Sequence, residues 1–324
     1  MSEIQSFVES IFDELVAIRR DIHAHPEVGM TEVRTSALIR SELEKMGVDE
    51  IQQPLPTAVV GLIHGTKGPG KCIALRADID ALPVHEETGL PFSSVNEGVM
   101  HACGHDLHTT MLLGAAKTLC HMRDQFAGTV KLIFEPSEDT MPGGARKLVA
   151  AGVMESPHVD AIFGQHVWGT LDIPYIDVTA GPRMAYSGRF TVDVIGTSSH
   201  AATPHLGADA ITGAAAIINN LQQYVSRMSN PLDPVVLTIG TISGGNRYNA
   251  IANYVTMEGV TRAYFLDKHE EAMRQIVENT AEGLGMKAVL KYAHVVHPVI
   301  NDDDDLTEIA QKAVVKLFGE EIAV

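Results

Sequence analysis

Three times in the first half of this chain an apolar run ends directly in a polar or charged cluster. Cys72-Ile73-Ala74-Leu75 runs into Arg76-Ala77-Asp78-Ile79-Asp80, residues 130–134 run into Glu135-Pro136-Ser137-Glu138-Asp139, and Ala161-Ile162-Phe163 runs into Gly164-Gln165-His166. Short apolar runs of this kind are strands, and helical spacing recurs around them. Residues 4–20 carry Ile4, Phe7, Val8, Ile11, Leu15 and Ile18, a second helix covers 31–46 and stops at Gly47, and a third covers 107–122. Strands at 59–64 and 71–75 flank a glycine-rich turn at 65–70. Alternation of this type predicts an α/β domain with a doubly wound, mostly parallel sheet. In such sheets ligands bind beyond the carboxyl ends of strands, where the polar clusters lie, so distant stretches of chain converge on one crevice.

From about Ser187 the texture changes. Residues 190–196 alternate like a half-buried strand, and a helix (209–227), two strands (235–243 and 253–262), a helix (268–284) and a strand (287–294) follow. The order βαββαβ is the split βαβ, or ferredoxin-like, sandwich. The expected organisation is a catalytic domain over 1–186, an inserted lid and dimerisation domain over 187–296, and a return to the first domain over 297–324. The last residues, Glu321-Ile322-Ala323-Val324, read as the beginning of another strand, so the chain is expected to be a fragment of a longer protein.

At 324 residues the chain can bury a large core and divide into about two domains. Apolar content is 45 % with no run long enough to span a bilayer, which predicts a soluble globular protein. The start, Met1-Ser2-Glu3-Ile4-Gln5, lacks the basic-then-apolar pattern of a secretory signal. Cysteines at 72, 103 and 120 are few and odd in number, which argues against a disulfide framework and for a reducing compartment, the cytoplasm. A net charge of −17 disfavours nucleic acid and anionic membrane partners, because both need a basic face. The run Asp302-Asp303-Asp304-Asp305 is read as an acidic helix start, since it lacks the glycine and ligand spacing of a calcium loop.

The stretch Met100-His101-Ala102-Cys103-Gly104-His105-Asp106-Leu107-His108 gathers a thiol, an acid and three imidazoles. Alone it could be a buried thiol beside surface histidines, just as Glu138-Asp139 could be a solvated pair and His166 a core histidine. Their agreement at successive strand ends points to a divalent metal site instead. Cys103 and His105 supply ligands, and a thiolate favours zinc, cobalt, nickel or manganese over calcium or magnesium. Glu138 and Asp139 are neighbours in an extended turn whose side chains point different ways, so that one can bind metal while the other faces substrate. Asp78 and Asp80 lie on one side of an extended segment and are read as groups that orient the imidazoles. Direct ligation by Asp78 stays open, as does pairing of either acid with Arg76. A Cys103 nucleophile with a histidine base is the competing chemistry, but it leaves Glu138 and Asp139 without a role. Neither a Gly-x-Ser-x-Gly elbow nor a P-loop is present.

In this order the motifs resemble the metal-dependent aminoacylase and carboxypeptidase superfamily, and within it the hippurate hydrolase and auxin-conjugate hydrolase group of N-acyl-amino-acid amidohydrolases. The segments that carry the resemblance are Asp21-Ile22-His23-Ala24-His25-Pro26-Glu27, Arg76-Ala77-Asp78-Ile79-Asp80-Ala81-Leu82-Pro83, the 100–108 motif, Phe134-Glu135-Pro136-Ser137-Glu138-Asp139 and Gln165-His166-Val167-Trp168. Ser199-His200-Ala201-Ala202-Thr203-Pro204-His205 and Gly244-Gly245-Asn246-Arg247-Tyr248-Asn249-Ala250-Ile251 extend it into the second domain. The resemblance implies a catalytic α/β domain, an inserted lid that also forms a homodimer, and two divalent metal ions per subunit. It matches Cys103 to a bridging thiolate, His105 and His166 to imidazole ligands, Glu138 to the general base and Asp139 to a ligand position usually held by glutamate. Glu135 stands where glutamine is common. His200, Asn249 and Arg262 match lid positions that approach the substrate, with His200 as oxyanion stabiliser. The implied substrate is an N-acyl amino acid or similar small amide. The group's last metal-binding histidine lies beyond Val324, and His294 and His297 come too early in the order to replace it. A second reading follows from that: a non-catalytic dimeric binding protein that keeps the fold.

Overall fold

The computed structural model describes residues 2–140, 143–264, 266–296 and 298–324. The chain divides into two compact units, Met1–Ile176 with Ala313–Val324, and Asp177–Lys312.

The first unit is built on strands β1 (Glu50–Gln52), β2 (Val59–His64), β3 (Cys72–Asp78), β4 (Thr129–Glu135) and β5 (Ala161–Gly164), in the spatial order β1-β2-β4-β3-β5. β3 runs parallel to both β4 and β5, whereas β2 is antiparallel to β4 and to β1. The sheet is therefore mixed, with its parallel part confined to the three strands whose ends carry the polar clusters. β2 and β3 do not pair across the turn between them. That turn instead bonds the segment entering β4, through Gly65 N–H to Gly128 O (2.9 Å), Gly128 N–H to Gly68 O (3.0 Å) and Thr129 N–H to Lys71 O (3.0 Å). The approach requires glycine: a Cβ at position 65 would lie 2.2 Å from Phe126 O, and one at 128 would lie 2.3 Å from Lys71 O.

Helices cover both faces of this sheet. α1 (Glu3–Ala24) opens with a capping box between Ser2 and Gln5, and α2 (Val33–Met46) ends at Gly47 in the left-handed conformation (φ 70°). α2 and α3 (His105–His121) pack Ile39, Leu43, Leu112, Leu113 and Ala116 against Val59, Ile63, Ala77, Leu132 and Phe134. On the opposite face Val60, Ala74 and Ile133 meet Leu148 of α4 (Gly144–Ala150) together with Val153 and Val159. The two sets alternate along each strand, the period-two pattern of a pleated sheet. α1 runs past the 4–20 span of its apolar stripe as far as Ala24, and so places Arg19 and His23 on a single face one turn apart.

The second unit contains a two-stranded ribbon of β6 (Gly181–Met184) and β11 (Val299–Asn301). Its main body follows the order β7 (Tyr186–Ile195), α5 (Ala210–Gln223), β8 (Val236–Gly244), β9 (Tyr254–Ala263), α6 (Leu266–Gly283), β10 (Lys287–Val296). The four strands pair antiparallel in the order β10-β7-β9-β8, the arrangement of a split βαβ sandwich. Phe190, Val192, Val194, Ile217, Leu221, Met257 and Val277 form its apolar core. α5 stops at Gln223 rather than continuing to 227, because a π-helical turn over Tyr224–Met228 takes its place. The chain returns to the first unit within α7 (Asp304–Phe318), and near the C-terminus Ala323 bridges to Ile176. Among the described residues no helix is long and apolar enough to cross a membrane.

Candidate metal centre

β3, β4 and β5 end at Asp78, Glu135 and Gly164, and α3 begins at His105 beside them. Gly104 makes that start possible. It precedes α3 with φ 88°, and a Cβ there would lie 2.4 Å from Val167 Cγ2, so the residue must be both left-handed and small. Cys103 sits just before this turn and His105 just after it.

His105 is fully buried. Its Nδ1 faces Asp80, at 2.9 Å from the carbonyl and 3.2 Å from Oδ1, which turns Nε2 into the crevice. That Nε2 has no hydrogen-bond partner, although a buried polar atom left alone costs on the order of 1–3 kcal/mol. Around it lie Asp78 Oδ2 at 3.7 Å, Asp139 Oδ2 at 3.9 Å and Glu138 Oε2 at 4.0 Å. Cys103 Sγ and His166 Nε2 are 3.4 Å apart. The donor atoms of Cys103, His105 and His166 all fall within 4.8 Å of one another, as do those of Asp80, His105 and Asp139, and those of Asp78, His105 and His108. His105 is common to all three groups. Thiolate, imidazole and carboxylate are the donor set of a borderline-soft divalent cation, and the orphaned Nε2 is the atom such an ion would satisfy.

The carboxylates behind this cluster divide the work of holding it. Asp80 takes His105 Nδ1 and also accepts the backbone N–H groups of Glu138 (3.1 Å) and Asp139 (3.2 Å) on its two oxygens. Asp78 accepts from His108 Nδ1 at 2.6 Å and from Arg76 Nη1 at 2.7 Å, while Arg76 Nε reaches Glu135 at 2.7 Å. His108 Nε2 in turn accepts from the N–H of Val167 (2.9 Å), the residue after His166. Both ring nitrogens of His108 are thereby engaged, so in this arrangement it steadies the His166 segment. Sequence reasoning passed over this residue, although its spacing of three from His105 puts both on adjoining faces of α3.

Protonation follows from these contacts. Burial alone would push Asp78 up, but His108 and Arg76 outweigh it and hold the carboxyl at about 2. Burial would lower His105, yet Asp80, Cys103 and Asp78 favour its charged form and raise it to about 11. Burial and then the neighbouring Asp139 raise Glu138 to about 7, and burial raises Asp139 as well. The imidazoles of His105 and His166 beside it lower the Cys103 thiol. The crevice thus concentrates carboxylates and a thiol around a single arginine, an electrostatic setting suited to a dication.

Glu138 and Asp139 do not diverge as neighbours on an extended segment would. One oxygen of each lies within about 4 Å of the same nitrogen of His105, and Ser137 just before them adopts a left-handed conformation (φ 58°). Behind α3 a second buried set was also unforeseen: Asp106 pairs with His23 (2.7 Å) and Arg19 (2.8 Å), and His23 reaches Glu86 (3.2 Å). Helical spacing of Arg19 and His23 was its available signal.

His200, Asn249 and Arg262 belong to the second unit and are exposed there. His200 bridges to Ala250, and Ala201 N–H donates to Asn249 O (3.1 Å), so these two lie on adjoining segments. His200 Nδ1 accepts from the N–H of Ala202 (3.1 Å), which leaves the ring proton on Nε2. Arg262 lies on β9 with Nη1 donating to Thr261 O (2.9 Å). His294 pairs with Glu270 at 3.2 Å, and His297 lies outside the described residues.

An α/β unit with soft and hard metal donors gathered at its parallel strand ends, joined in the chain to a split βαβ unit, has the build of a two-part metallohydrolase. Residues 74–324 match peptidase family M20/M25/M40, and the chain belongs to that family. An N-acyl-L-amino acid amidohydrolase of Geobacillus stearothermophilus is 38 % identical over 305 residues, covering 93 % of this chain and 82 % of that protein. An IAA-amino acid hydrolase of Arabidopsis thaliana is 44 % identical over 270 residues, covering 83 % of this chain and 61 % of that protein. The crystal structure of a dinuclear metal-binding M20 peptidase from Bacillus subtilis superposes with a TM-score of 0.83 at 36 % identity, over 98 % of this chain and 82 % of that one.

Proposed function

We propose that this protein is a metal-dependent amidohydrolase that releases the acyl group from N-acyl amino acids. The observation that carries the proposal is the buried, unpartnered Nε2 of His105, ringed by Cys103, His166 and Asp139 with Glu138 beside it. The substrate class rests on the names of the relatives, two of which act on acylated amino acids.

Cys103, His105, Asp139 and His166 would hold two divalent ions, of manganese, zinc, cobalt or nickel. When bound, such ions polarise a carbonyl and acidify water. Glu138 takes the proton of the attacking water and passes it to the nitrogen of the leaving amine. A carboxyl raised to about 7 is matched to both halves of that transfer near neutral pH. Asp80 holds the imidazole of His105 and the backbone of Glu138 and Asp139, and Asp78 holds His108. For the second unit, the resemblance of its motifs supports His200 as a donor to the developing oxyanion and Asn249 and Arg262 as substrate contacts. The Nε2–H tautomer of His200 suits that role. The same resemblance supports a homodimer formed through the second unit, and sparse cysteine supports a cytoplasmic setting. A purely binding role is disfavoured, because the donors and the base remain together and the relatives are named as hydrolases.

Protein loaded with manganese or zinc is expected to hydrolyse N-acetyl amino acids or hippurate, and Glu138→Gln is expected to lower kcat by about 10²–10⁴-fold with metal content retained. Unchanged turnover in that variant would remove Glu138 as the base. Stoichiometric metal with no turnover of any N-acyl amino acid by the parent protein would favour the dimeric binding role.

A further inference from the structure

Glu32 is a carboxylate with no accessible surface, placed at the N-terminal boundary of α2. Its side chain makes no capping bond to the helix. Glu27 does that work instead, accepting the N–H groups of Arg34 (2.9 Å) and Thr35 (2.8 Å). Glu32 is thereby free to turn inward, where its Oε1 accepts the N–H of Ser137 at 2.8 Å. Burial pushes this carboxyl up, against the pull of Thr57 and the backbone donors around it.

Ser137 is the residue at which β4, having ended at Glu135, bends to present Glu138 and Asp139. It is buried and left-handed (φ 58°), a region that L side chains rarely occupy. The bend is crowded as well as strained. Ser137 O accepts from Gly144 N–H (3.1 Å), and a Cβ on Gly29 would lie 2.7 Å from Ser137 Oγ. Downstream, Asp80 grips the next two N–H groups; upstream, Glu32 grips the first. Three successive backbone donors are thus held by two buried carboxylates from different parts of the chain. Without Glu32 the Ser137 N–H would be buried and unpaired, and the left-handed bend would lose its anchor.

We infer that Glu32 is a positioning residue for the turn that carries Glu138 and Asp139. The requirement is an acceptor at glutamate length and not a charge. The inference rests on the amidohydrolase reading where it concerns turnover, so its test includes a measurement that does not depend on chemistry. Amide exchange is followed at Ser137 in the metal-free protein, and kcat and KM are measured on the metal-loaded protein, for Glu32→Gln, Glu32→Asp and Glu32→Leu, each checked for cooperative melting.

Gln keeps an acceptor at the same reach, so exchange and kcat stay within about 3-fold of the parent. Asp is one methylene short and Leu has no acceptor. In both, exchange at Ser137 accelerates at least about 10-fold, and kcat falls toward 100-fold with KM nearly unchanged, since misplacing a reacting group by about 1 Å costs on that order. Asp and Gln alone decide the matter if the Leu variant does not fold. Parent-like exchange and kcat in Glu32→Asp would overturn the inference, and so would a Gln variant as impaired as Asp, since charge would then be what counts. Accelerated exchange with undiminished turnover would keep the Ser137 contact but overturn Glu32 as a positioning residue for Glu138 and Asp139, while the base assignment is tested separately by Glu138→Gln.

Discussion

The two units of this chain bury different kinds of residue. In the first, His23, Asp78, Asp80, His101, His105, Asp106, His108 and Glu135 are all buried around the start of α3 and the strand ends. In the second, the core is Phe190, Val192, Val194, Ile217, Leu221, Met257 and Val277, and the residues singled out for chemistry, His200, Asn249 and Arg262, lie on the surface. Asp233, His269 and the phenols of Tyr186 and Tyr224 are the ionisable exceptions among its described buried residues. Dispersion and hydration stabilise the second interior and are indifferent to protons and metal ions. The first interior balances desolvation against pairing, and that balance shifts whenever a partner is removed. A scaffold that gathers donors before any ion arrives carries unfavourable terms that a bound cation relieves.

The contrast is broken most forcefully by paired truncations. Asp78→Ala leaves Arg76 and His108 without their shared carboxylate in a buried site, which costs about 3–5 kcal/mol. Ile217→Ala, at a fully buried position of the second core, costs about 2–5 kcal/mol from lost contacts and the cavity left behind. Chemical denaturation of each variant with and without added metal separates the mechanisms. The cost of Asp78→Ala grows when metal is present, because the parent gains ligand stabilisation that the variant loses, whereas the cost of Ile217→Ala stays constant. Equal metal dependence in both variants would erase the distinction.

A smaller effect sharpens it. Asp78 has a folded value of about 2 against 3.8 for the free side chain. A depressed carboxylate contributes its stability above the unfolded value and loses it as pH falls through the folded one. Metal-free protein should therefore lose about 2 kcal/mol between about pH 4 and pH 2 through this group alone. Asp78→Asn should flatten that part of the profile. A profile of unchanged steepness in the variant would show that Asp78 is not held down by His108 and Arg76.

Much of the first unit's plan was legible in the amino-acid order for a physical reason. Strands covered on both faces are mostly apolar, so the polar clusters just past them stood out and three such ends named the crevice, although Lys131 lies buried in the middle of β4. The elements of the split βαβ unit were equally readable, because each strand alternates and each helix is amphipathic, although their spatial order β10-β7-β9-β8 is not the order of the chain. Pairing was less readable. β4 enters between β2 and β3 through contacts of the turn at 65–70 with residues 126–129, and no local pattern announces contacts at that separation. The clamp on Ser137 is harder still, since Glu32 lies 105 residues away. The left-handed Ser137 was hidden because serine, unlike glycine, gives no sign of it. Local patterns thus reveal which residues reach the crevice, while the groups that aim them depend on contacts made only in the fold.

The most direct test of the account is a crystal structure of the metal-soaked protein with anomalous data collected at the edge of the added ion. The account predicts two peaks in the crevice of the first unit, bounded by Cys103 Sγ, the Nε2 atoms of His105 and His166, and the carboxylate of Asp139, at ligand distances of about 2.0–2.3 Å. Glu138 should stand beside them without displacing a ligand. Saturating metal with no peak at His105 Nε2, or with peaks only on exposed acidic residues such as Asp302 and Asp303, would contradict it.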